Sequence, residues 1–95
     1  MLQIRSNDLI AVEMDGVFYL FAILTKQIMF GGHWVFAYHG SRKAVPSPEE
    51  IVTVSGYNAA VDFIIPKREG RVFRISRGNN FTHLFGPELL QQEPA

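Results

Sequence analysis

Cysteine is absent from this chain of 95 residues. No disulfide framework can hold the fold together, which fits a reducing compartment. Net charge is absent too, because nine basic residues balance nine acidic ones. That balance argues against strong bulk attraction to nucleic acid or an anionic membrane. No apolar run is long enough for a membrane helix: the longest, from Val17, stops at Thr25 and Lys26, well short of the roughly 20 residues required. The first residues, MLQIRSND, lack a basic segment followed by an apolar one, so no secretory signal is visible and a cytoplasmic protein is expected. There is no P-loop, no dinucleotide fingerprint and no G-x-S-x-G elbow.

The histidines do not supply a metal site either. Six residues at about 3.3 Å each would separate His33 from His39 by roughly 20 Å on one strand, too far to share an ion. With no close carboxylate partner, no metal and no cofactor are expected. His39-Gly40-Ser41 sets a histidine near a serine, but sequence adjacency seldom gives base-to-hydroxyl geometry. With no nucleophile, base and orienting group brought together, the expectation is a protein that is not an enzyme.

What the chain has is strand periodicity. Val17 to Tyr38, VFYLFAILTKQIMFGGHWVFAY, holds the longest apolar run and most of the aromatic residues. Its aromatic and β-branched content favours strand over helix. Leu9 to Met14 reads as a first strand, and Asp15-Gly16 as the type I′ turn of a tight hairpin into Val17. The second strand is expected to run to about Ile28. Gly31-Gly32 then separates it from a third strand, His33 to His39. Ser47-Pro48-Glu49-Glu50 has the form of a capping box, although Ile51 to Val54 prefer strand, so a short helix is expected near residues 48–54. Alternation from Tyr57 to Ile65 predicts a fourth strand ended by Pro66. Lys67 to Gly70 then forms a hairpin loop, and Arg71 to Ser76 a fifth strand with Phe73 and Ile75 inward. A single domain over residues 1–95 is expected, with an ordered core over about 7–86 and a helical turn and polar tail over 87–95. The fold class is mainly β with minor α: a five- to six-stranded antiparallel, partly open small barrel, SH3-like or OB-like.

Two groups of residues could carry function. The second strand is apolar at both parities, yet one face of a small barrel wall suffices for the core. The surplus suggests a surface for another protein, either a toxin or a second copy in a homo-oligomer, with Phe18, Tyr19, Trp34 and Tyr38 as candidates. The second group is Lys67, Arg68, Arg71, Arg74 and Arg77, set against Glu69 alone. These are either a solvated hairpin or a patch, built on Arg68, Arg71 and Arg74, for phosphates or an acidic protein. Aromatic platforms beside cations would suit single-stranded nucleic acid, but the zero net charge weakens that alternative.

The order of these features, NDLIAVEMDGVFYLFAIL, an aromatic strand, PEEI, a strand ending IIP and another reading RVFRISRG, resembles the small β-barrel bacterial immunity proteins, and among them the immunity-protein twenty-six family. The resemblance spans about Asn7 to Gly78 and rests on pattern. It implies a non-catalytic protein that binds and neutralises a cognate toxin encoded beside it.

Overall fold

A computed structural model describes residues 2–25, 32–51 and 55–77. Five strands, β1 (Leu9–Met14), β2 (Val17–Ile23), β3 (Gly32–Tyr38), β4 (Gly56–Asp62) and β5 (Val72–Ser76), form one antiparallel sheet in the order β4-β3-β2-β1-β5. One short helix, α1 (Ile64–Arg68), lies between β4 and β5. The class is mainly β with minor α, as expected, but the sheet is open and β4 and β5 form its two edges.

The first hairpin turns where the sequence places it. Asp15 and Gly16 both adopt positive φ, 54° and 82°, which is what a type I′ turn requires. The register runs from Met14 opposite Val17 to Leu9 opposite Ala22. β3 pairs with β2 at Phe21–Ala37, Ala22–Phe36 and Ile23–Val35. Past Tyr38, His39 N–H still donates to the Ser55 carbonyl, Gly40 turns the chain with φ of 82°, and Arg42 meets β2 again through two 2.8 Å backbone hydrogen bonds with Phe18. β2 ends at Ile23, short of the expected Ile28, and residues 26–28 and the expected tail over 87–95 lie outside the described residues.

Two segments differ from the sequence reading. At Ser47 the expected capping box does not form, because the serine side chain makes no capping bond and the chain takes only a 3₁₀ turn over Pro48–Glu50. The turn instead delivers Ile51, 4% exposed, into the core. The second difference is topological. β4 stops at Asp62, whose Oδ1 accepts the N–H of Ile64 at 2.9 Å and turns the chain. Pro66 then sits in the first turn of α1, where its missing N–H costs no hydrogen bond. Because β1 and β3 point the same way, β4 and β5 also run alike, so no tight hairpin can join them. Residues 63–71 must cross four strand spacings, roughly 19 Å.

That crossing explains the burial. On one face Leu9, Ala11, Leu20, Ala22, Phe36 and Tyr38 pack with Ile51. On the other, Ile10, Val12, Ile23 and Val35 pack with Ile4, Phe63 and Val72. Phe63, 2% exposed, stacks edge-on against Phe21 at 5.3 Å. The sheet therefore buries its centre on both faces, and β1 is buried at both parities from Leu9 to Val12.

Candidate protein interface

Much of the apolar run is consumed by this two-sided core. Leu20, Ala22 and Ile23 are buried, whereas Val17, Phe18, Tyr19 and Phe21 are half-buried. Trp34 is half-buried, and its backbone N–H donates to Thr25 Oγ1 at 3.3 Å. Tyr38 is 8% exposed and stands edge-on to Phe36 at 5.1 Å. Its hydroxyl has no partner among the described residues, and burial pushes its pKa up to about 12. Tyr38 thus belongs to the core layer, whereas Trp34 is only partly covered.

Phe18 and Tyr19 point to opposite faces. Tyr19 lies opposite Val12 on the face crossed by Phe63. Phe18 lies opposite Glu13 on the other face, and its ring meets Phe73 in a T-shaped contact with centroids 5.7 Å apart. Phe73, read from sequence as inward, is 39% exposed, while Ile75 on the same face packs against the core. The cause is position: Phe73 pairs with Ala11 at the sheet's β5 edge, where no further strand covers it among the described residues.

The cations of residues 67–77 do not form one patch. Arg74 extends to Asp8, which is fully buried, with Nε to Oδ2 at 3.4 Å, and also donates to the Gln3 carbonyl. Arg5 N–H donates to the same Asp8 oxygen at 2.9 Å. Arg71 is held by Glu69, with Nη2 to Oε1 at 2.5 Å, and donates through Nη1 to the Glu13 carbonyl at 2.6 Å. Arg68 is exposed on α1. Two of the three cations named for phosphate binding are therefore engaged within the chain.

The structure brings Phe18, Phe73 and Arg71 together around Glu13. Phe18 is opposite it on β2, and Arg71 is bonded to it through the backbone at 2.9 Å on the β5 side. A half-buried phenylalanine beside an exposed one, with an ordered arginine next to them, presents residue types enriched in interface cores. Phe73 was missed because period-2 alternation assigns a face but cannot show where a strand sits in the sheet.

Other polar clusters are small. His39 Nδ1 lies 3.0 Å from Ser55 Oγ on the exposed surface, and the buried His33 has its Nδ1 3.2 Å from the Thr25 carbonyl. Among the described residues no three His, Cys, Asp or Glu side chains gather as a metal site, and no helix is long and apolar enough to cross a membrane. Comparison with family models, with curated proteins and with solved structures finds no match.

Proposed function

We propose that this chain is a non-catalytic protein-binding domain whose contact surface is centred on Phe18, Phe73 and Arg71. The observation that carries the reading is the Phe18–Phe73 pair, half-buried against half-exposed, at a sheet edge. Covering such a pair removes apolar area from water, and Arg71 is already oriented by Glu69 and Glu13, so less side-chain entropy is lost on binding. The resemblance to immunity proteins adds the partner class, a toxin encoded beside the gene. The nucleic-acid alternative is weakened by the internal engagement of Arg71 and Arg74.

Titration calorimetry between the purified chain and the protein encoded next to it tests the proposal. Binding that falls at least tenfold in Phe73→Ser, with the thermal midpoint held, is expected. No binding by the wild-type chain, or binding indifferent to both Phe73→Ser and Phe18→Ser, overturns it.

A further inference from the structure

The Phe18–Phe73 pair is flanked by cations on both sides. Phe18 exchanges two 2.8 Å backbone hydrogen bonds with Arg42 and lies opposite Glu13, whose N–H donates to the Arg71 carbonyl at 2.9 Å. Residues paired directly across an antiparallel ladder share a face. Arg42, Phe18, Glu13 and Arg71 therefore form one row across the sheet, on the side that carries Phe73. The row is basic at both ends, with Phe18 and Glu13 between.

The two end cations differ in how far they are already neutralised. Arg71 spends Nε and Nη2 on Glu69 Oε1 and Nη1 on the Glu13 carbonyl, which leaves its remaining guanidinium N–H groups for an outside acceptor. Arg42 is half-buried, and among the described residues neither it nor the adjacent Lys43 takes part in an ion pair. The acidic position of the row, Glu13, lies two strand spacings from Arg42, roughly 10 Å at Cα. Arg42 thus carries a charge that the row does not compensate.

We infer that the partner held at Phe18 and Phe73 presents two carboxylates to this row, one to Arg42 and one to Arg71, with an uncharged apolar side chain between them. The inference rests on the protein-binding reading above and adds the chemistry of the bound segment. Arg42 and Arg71 are three strand spacings apart, roughly 14 Å, which an extended segment spans in about four residues. Glu13 selects against a third carboxylate in the middle, because like charges brought together in an interface are costly. The same residue favours an acidic protein segment over nucleic acid. A peptide can leave the position over Glu13 uncharged, whereas phosphates recur at every nucleotide. Since Glu69 already offsets Arg71, Arg42 is the residue on which the charge contribution depends most.

Calorimetric titration with the protein encoded beside this chain, at about 0.05 and 0.5 M salt, reads the charge contribution separately from the apolar one. Wild-type affinity should fall about tenfold over that range. Arg42→Gln should weaken low-salt binding about fivefold and Arg42→Glu further, both flattening the salt dependence. Phe73→Ser should weaken binding at both salts and keep the wild-type salt dependence. The backbone bonds of Arg42 do not involve its side chain, and thermal midpoints check that the fold is kept; if either Arg42 variant unfolds, the wild-type salt dependence decides. Salt-independent binding, or an Arg42→Glu variant that binds as the wild type does while Phe73→Ser does not, overturns the acidic segment and leaves the protein-binding reading standing. No binding by the wild-type chain, or binding indifferent to both Phe18→Ser and Phe73→Ser, overturns the two together. A single-stranded oligonucleotide bound at low salt and lost in Arg42→Glu overturns the inference in favour of phosphate.

Discussion

Replacing Tyr38 by Phe removes one oxygen from a buried position on β3, and two consequences follow from its surroundings. The hydroxyl is buried without a partner among the described residues, so its removal leaves no group newly unsatisfied. At neutral pH Tyr38→Phe should be neutral, or stabilising by up to about 1 kcal/mol. The second consequence concerns alkali. Burial raises the phenol from 10.0 to about 12, so between these values the unfolded chain loses a proton that the folded chain keeps. The stability associated with this group is whole below pH 10 and declines as pH rises towards 12. By pH 11 the decline amounts to about 1.4 kcal/mol, one pKa unit of difference. Urea unfolding of both proteins at pH 7.5, 9, 10 and 11 isolates this contribution, because every other titrating group is common to the two. The wild type should lose about 1.4 kcal/mol relative to the variant between pH 9 and pH 11. Parallel stability curves, or a Tyr38→Phe variant weakened by more than about 1.5 kcal/mol at pH 7.5, would show that the hydroxyl is solvated or bonded and refute the reasoning.

Arg74→Ala leaves the fully buried Asp8 carboxylate without its cation, and should cost roughly 3 kcal/mol or more in urea unfolding. An unchanged midpoint would return Arg74 to the surface. Gly56→Ala sets a Cβ 2.1 Å from the Ala37 carbonyl oxygen, a backbone clash expected to lower stability by roughly 2 kcal/mol or more. A silent substitution would mean that β3 and β4 are spaced differently there. Gly16→Ala forces a side chain into the turn's positive φ of 82° and should cost about 1 kcal/mol, measured as a shift in thermal midpoint without loss of the native circular dichroism spectrum.

Local structure was legible wherever a short stretch decides it. The Asp15-Gly16 turn depends on two adjacent residues and stands as read, and β1 and β3 lie within a residue of their expected limits, but both strands are buried on both faces instead of one. The chain between β4 and β5 was misread because Lys67 to Gly70 looks like hairpin chemistry, whereas the joining of those strands depends on which edge each occupies. Pro66 was read as the end of β4, but pairing already stops at Asp62, and Pro66 lies inside α1 instead of opening a loop. The same missing information hid the site. Apolar residues at both parities of β2 imply cover on two faces, and Phe63 with Ile4 supplies the second cover from within the chain. Of the candidates on that run, Phe18 stays half-buried beside Phe73, which lies at an edge. Arg74 left the candidate set because Asp8, eight residues from the start of the chain, is buried beneath it.

The central claim, that another protein is held at the Phe18–Phe73 edge, is tested most directly by amide hydrogen exchange of the chain alone and saturated with the protein encoded beside it. The account predicts new protection in peptides covering Glu13–Leu20 and Arg71–Ile75, with β3 unchanged. Protection confined to Gly32–Tyr38 or Ile64–Arg68, with the Phe18 and Phe73 peptides exchanging as before, would contradict it.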